Sequence, residues 1–109
     1  VGSAQDGLFQ EVGGLGTGTW EAGVYDYSDL VDNYIDQGDW ERHWNEDSKV
    51  PFLYSPSQQE WISYDDSESL GHKLDYIVDQ DLGGIMFWEL SGDTEDNELI
   101  TQMADRLIE

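Results

Sequence analysis

Gly83-Gly84-Ile85-Met86-Phe87-Trp88-Glu89-Leu90-Ser91-Gly92-Asp93 is the most apolar run in a chain that is otherwise strongly acidic. A continuous apolar segment bounded by glycines reads as a strand buried on both faces, and such strands belong to parallel sheets covered by helices. Helical patterns flank it. Upstream, Leu70, Leu74, Ile77 and Val78 share one face, with Asp66 or Ser67 as the cap and Gly83 as the stop. Downstream, Leu99, Ile100, Met103, Ala104 and Leu107 form a stripe behind a cap at Asp93 or Thr94. Helix, strand, helix is one piece of a parallel α/β array. A lone parallel strand cannot satisfy its own backbone groups, and its neighbours are not among these 109 residues. Sheets of this kind gather their chemistry at the carboxyl ends of the strands, which makes Trp88 a candidate site residue. The competing reading is that a Trp in an apolar strand only packs.

The upstream half has a different rhythm. Residues 1–19 are glycine-rich, and Gly13-Gly14-Leu15-Gly16-Thr17-Gly18-Thr19 has neither a helical nor a strand period, so it reads as loop. It lacks the strand-to-helix context of a phosphate-binding glycine motif. Leu8 to Val12 reads as a short strand. Ser28 is the expected N-cap of a helix carrying Leu30, Val31, Tyr34 and Ile35, closed by Gly38. Trp40 to Asn45 alternates bulky and polar side chains as a half-buried strand does. Val50 to Tyr54 starts another strand, which Pro51 places at an edge or at its first residue. The turn Ser55-Pro56-Ser57-Gln58-Gln59 returns it to a hairpin partner, Glu60 to Tyr64.

The charge balance excludes whole classes of partner. With 25 acidic against 4 basic residues the formal charge is -21, so nucleic acid and anionic membrane surfaces are not expected partners. Five Trp, six Tyr and three Phe argue against disorder, which pairs high charge with few aromatics. The acid is then the surface of a folded protein, and self-repulsion of this size points to a salt-requiring host. No cysteine is present, so disulfides and thiolate metal sites are excluded. No apolar run approaches the length of a membrane span. A first residue Val1 in place of Met suggests a piece of a longer gene product. His43 and His72 have no metal-site spacing, and Asp65-Asp66 reads as a helix cap more readily than as a cation site. No metal or cofactor is expected.

Four stretches in order carry a resemblance: Gly18-Thr19-Trp20-Glu21-Ala22-Gly23-Val24-Tyr25-Asp26-Tyr27, Lys49-Val50-Pro51-Phe52-Leu53-Tyr54, Ile62-Ser63-Tyr64-Asp65-Asp66, and Leu82 to Asp93. The chain resembles the C-terminal part of a glycoside hydrolase family 18 chitinase of the bacterial or archaeal type with an α+β chitinase insertion domain. The resemblance implies an α+β insertion domain followed by the last helix-strand-helix of a (β/α)8 TIM barrel. Residues 1–60 would be most of the insertion domain and 61–109 the seventh helix, eighth strand and eighth helix, leaving the barrel incomplete. The family's acidic catalytic motif, Asp-x-x-Asp-x-Asp-x-Glu, has no match here, so no catalytic acid is expected in this chain.

What the resemblance carries over is a binding surface. Trp88 matches the tryptophan that floors the reacting sugar's subsite. Trp20 and Glu21 match an insertion-domain pair that reaches over the cleft toward the non-reducing end. Read without the family, Trp20 is equally a plug for a small core, and Glu21 is one surface acid among 25. The implied activity is retaining hydrolysis of β-1,4-linked N-acetylglucosamine polymers, with the substrate's acetamido oxygen as nucleophile in place of a second carboxylate. Implied partners are chitin or chitooligosaccharide and the N-terminal barrel portion of the same protein, in a secreted, extracellular, salt-adapted enzyme. The alternative is a stand-alone, non-catalytic chitin- or glycan-binding α+β module.

Overall fold

The computed structural model describes residues 6–108. The first regular element is α1, Tyr27–Asn33, which buries Leu30. Its N-cap is Asp26 and not the expected Ser28, and it ends at Asn33, before Gly38. The chain then turns through Asp36 and Gly38, both at positive φ. The expected strand at Leu8 to Val12 is irregular. Five glycines between Gly7 and Gly18 flank and follow it, and nothing offers it a ladder.

Three strands follow as an antiparallel meander: β1 Glu41–Asn45, β2 Val50–Ser55 and β3 Glu60–Ser63, in sheet order β1-β2-β3. Register places His43 opposite Phe52, Trp44 opposite Pro51, and Tyr54 opposite Trp61. β2 is thus the central strand and Pro51 its second residue, where an edge or a first position had been expected. The proline fits because its carbonyl accepts from Tyr64 N–H on the β3 side, at 3.4 Å, beyond the last paired residue of β3. The missing Pro N–H falls on that same side, away from β1, so the sheet forgoes only the return bond to Tyr64, beyond the end of β3.

β2 is buried from Pro51 to Ser55 because both sheet faces are covered. On one face Leu53 and Ile62 pack on Leu30, with Tyr25, Tyr34, Ile35, Trp40 and Tyr64 around them. On the other, Phe52 lies between His43, stacked at 5.2 Å, and Trp61 at 5.5 Å. Gly7 approaches Tyr54 and Trp61 so closely that a Cβ there would lie 2.7 Å from the tyrosine ring. Its φ of 77° also excludes most side chains.

Helix α2, Ser67–Asp79, is capped as expected by Asp66, whose carboxylate accepts from Glu68 N–H and Ser69 N–H while Ser69 returns a bond to Asp66. This reciprocal box satisfies three backbone donors at the first turn. Leu70, Leu74 and Ile77 are buried, but Val78 faces solvent. The helix ends at Asp79, before the expected stop at Gly83, and Asp81 takes a positive φ in the turn that follows. Helix α3, Glu98–Leu107, starts later than its expected cap. Even so, the Asp93 carboxylate accepts from Leu99 and Ile100 N–H and the Thr94 hydroxyl from Glu98 N–H, so both residues serve the first turn from outside it. Leu99, Met103 and Leu107 close on the α2 cluster, and Arg106 pairs with Asp75 at 2.5 Å.

The segment that opened the reading behaves differently from expectation. Gly83 to Leu90 is not a strand but an irregular, unpaired stretch that runs into a 3-10 turn at Leu90–Gly92. Met86 and Trp88 are exposed where burial was expected. The cause is the lack of a partner: strand order comes from the neighbouring ladder, and the only sheet of the described residues is closed among β1, β2 and β3. Glu89, next to Trp88, pairs with neither Lys73 nor Arg42. Lys73 instead meets Asp65, and Arg42 meets Asp66 and Glu68.

Candidate functional site: an aromatic cleft beside Trp88

Between the entry to α1, the exit of β3 and the Trp88 segment lies a cleft of about 310 Å³. Tyr25, Asp26 and Tyr27 form one wall, Tyr64 and Asp65 a second, and Trp88 the outer lip, with Leu99 and Met103 of α3 beneath. Trp88 is 87% exposed, so its indole faces are free for a ligand rather than used in packing. The Trp88–Glu89 peptide bond is cis.

Trp20 is 89% exposed and lies outside the cleft lining, but its Nε1–H donates to Asp26 Oδ2 at 3.0 Å. It is therefore held to a residue of the cleft wall. Glu21 is exposed and its backbone forms an isolated bridge with Val24. The structure brings Trp88 into the cleft, tethers Trp20 to its wall and leaves Glu21 outside the lining.

The remaining three tryptophans are structural. Trp40 meets Tyr34 edge-on, Trp61 leans on Phe52, and Trp44 lies between His72 and the Arg42 guanidinium.

Three phenols give the cleft its polar character, and all are held protonated. Burial, reinforced by a hydrogen bond to the Glu60 carboxylate, pushes Tyr25 up to about 12. Burial and then the Glu98 carboxylate, which its hydroxyl meets at 3.4 Å, raise Tyr27 further. Burial raises Tyr64 to about 12, with the Arg42 charge pulling down and Asp66 pushing up. The Tyr64 hydroxyl is buried without a hydrogen-bond partner among the described residues. These groups are neutral at physiological pH and unsuited to general-base work; the Tyr25 and Tyr27 hydroxyls already donate to Glu60 and Glu98, so toward a ligand they offer acceptor lone pairs. Among the described residues no cluster of His, Asp and Glu is arranged to hold a metal ion.

Sequence reasoning did not single out Tyr25, Asp26, Tyr27 or Tyr64 for the site. The available signal was the aromatic-acid-aromatic triplet at 25–27, where two rings flank a carboxylate. Exposed indole faces beside carboxylates and phenols are what a sugar-binding wall requires: an apolar face for the ring and acceptors or donors for its hydroxyls.

The comparisons with known proteins agree with that class. The sequence profile of the glycosyl hydrolases family 18 matches residues 2–93. Chitinase A1 of Niallia circulans is 53% identical over 91 residues, covering 83% of this chain and 13% of that protein. Chitinase B of Serratia marcescens is 39% identical over 64 residues, covering 59% of this chain and 13% of that protein. Among solved structures, chitinase ChiA74 from Bacillus thuringiensis superposes with a TM-score of 0.78 at 41% identity, over 84% of this chain and 17% of that one. The chain belongs to glycosyl hydrolases family 18. It spans only 13% of the length of these two curated relatives.

Proposed function

We propose that this chain is the C-terminal, substrate-binding part of a chitinase that hydrolyses β-1,4-linked N-acetylglucosamine polymers with retention. In this reading residues 1–60 are the insertion domain and 61–109 the final helix-strand-helix of the barrel. Trp88 is the floor on which the reacting sugar rests, and Trp20 with Glu21 extends the wall toward the non-reducing end. The acetamido oxygen of the substrate acts as nucleophile, and the acid that protonates the leaving group lies outside this chain. Secretion and adaptation to high salt belong to the same reading, the latter on the strength of the -21 formal charge.

One observation carries the proposal: Trp88 lines a cleft together with Tyr25, Asp26, Tyr27 and Tyr64, in a chain of this family. The stand-alone binding module is the weaker reading, because Met86, Phe87, Trp88 and Leu90 leave an apolar stretch open that a self-sufficient domain would cover.

The test is Trp88→Ala in the full-length protein, assayed on chitin oligosaccharides. Losing a stacking floor worth about 1.5–3 kcal/mol lowers kcat/KM by roughly tenfold to 150-fold. Wild-type turnover would refute the assignment.

A further inference from the structure

Asp26 stands at the N-cap of α1, a position where an aspartate ordinarily accepts from the helix's first free N–H groups. Here the side chain makes no cap hydrogen bond. Its Oδ2 instead accepts from the Trp20 indole at 3.0 Å, and its Oδ1 faces Gly92, where a Cβ would lie 3.5 Å away. Gly92 closes the turn that follows Trp88, through its N–H to the Glu89 carbonyl at 3.0 Å. One carboxylate thus accepts from the indole of one exposed tryptophan and lies beside the turn that follows the other.

The loop bearing Trp20 is fixed to the same place by its backbone. The Thr19 hydroxyl accepts from Asp26 N–H at 3.0 Å and donates to Asp29 Oδ2 at 2.7 Å, and Thr19 N–H donates to the Val24 carbonyl at 2.9 Å. These bonds place the Cα of Trp20 but leave its ring free to rotate. An 89% exposed indole has few packing contacts to choose a rotamer, so the bond at Nε1 sets the ring plane.

We propose that Asp26 is a positioning residue. It orients the Trp20 indole beside the cleft that Trp88 lines. The inference rests on the reading of Trp20 and Trp88 as sugar-binding residues, but its geometric content can be tested apart from it. The predicted consequence is a preference for long oligosaccharides that reach both rings over short ones that reach only Trp88.

The experiment is indole NMR of the full-length protein labelled with ¹⁵N at tryptophan, with the Trp20 Nε1–H signal assigned by its loss in Trp20→Phe. In Asp26→Ala that signal moves and its exchange with solvent accelerates roughly tenfold, the weight of one hydrogen bond to a charged group. Asp26→Asn, which keeps an acceptor oxygen, restores most of the protection. An unchanged Trp20 signal in Asp26→Ala overturns the proposal whatever the kinetics show. The kinetic arm uses N-acetylglucosamine hexamer and dimer. Asp26→Ala raises KM for the hexamer roughly fivefold more than for the dimer, and that difference disappears in a Trp20→Ala background. A moved indole signal with an unchanged hexamer KM supports the positioning role and refutes the sugar-binding reading of Trp20. Folding is not at stake, since the carboxylate caps no helical N–H.

Discussion

Arg42 is the residue whose loss should be felt most widely for its size. It projects from the edge strand β1 and crosses to the start of α2, where Nη2 meets Asp66 Oδ2 at 2.7 Å and Nε meets the same oxygen at 3.2 Å. Nη2 also reaches Glu68 at 3.0 Å, and the guanidinium lies 5.4 Å from the Trp44 ring centre. Burial works against its charge, yet the bond and charge of Asp66, aided by Glu68, hold its pKa above the usual value.

The perturbation is Arg42→Met, which keeps the apolar stem and removes the charge. Breaking a fully buried pair costs about 3–5 kcal/mol. This one falls short of that limit: the Arg42 side chain is 35% exposed, and Asp66 keeps two backbone donors. The Glu68 contact, at 55% exposure, contributes under about 1 kcal/mol. A charged hydrogen bond at Asp66 of about 1.5–3 kcal/mol and a cation-π contact of about 0.5–1 kcal/mol set the scale. The expected loss is about 2–3 kcal/mol by urea unfolding at neutral pH. A cycle with Asp66→Asn should give a coupling of about 1–2 kcal/mol. A loss below about 0.5 kcal/mol, or zero coupling, would show that solvent screens the pair and that the sheet is held to α2 by packing alone.

Two further predictions concern charge. All four basic residues are already paired, Arg42 and Lys73 at the start of α2, Lys49 with Glu46 and Arg106 with Asp75, so most of the 25 acids repel one another unanswered. Raising salt from 0.1 to 1 M shortens the screening length from about 10 to about 3 Å and should raise the thermal midpoint; a midpoint that falls would mean that ion pairs outweigh repulsion. Tyr25 and Tyr64 have folded pKa values of about 12, raised mainly by burial from the ordinary 10 of the unfolded chain. Raised values mean stability that is full below pH 10 and drains as pH climbs toward 12, because the unfolded chain releases those protons first. Unfolding midpoints measured from pH 8 to 11.5 should decline at the alkaline end, and less steeply in Tyr25→Phe; identical slopes would remove Tyr25 as a cause.

The hairpin of β2 and β3, the cap at Asp66 and the stripes of α2 and α3 were legible because each is a local matter. Alternation, a capping side chain and a 3.6-residue period are properties of a few adjacent residues. The errors came where a long-range partner decides. Pro51 looked like an edge residue because its missing N–H was counted without knowing which side of β2 has a neighbour at that point. Gly83 to Leu90 looked like a buried strand because its composition suits one, while no described residues offer it a ladder.

For the site, the sequence named Trp88, Trp20 and Glu21 through its resemblance to the family, and its excess of acid argued against phosphate-bearing partners. Only the tertiary structure decided that Tyr25, Asp26 and Tyr27 face Tyr64 and Trp88 across one cleft, and that the N-cap carboxylate of α1 turns away from its helix to hold the Trp20 indole. The physical reason is that burial, phenol pKa and ring orientation depend on neighbours tens of residues away along the chain, and folding alone sets those distances.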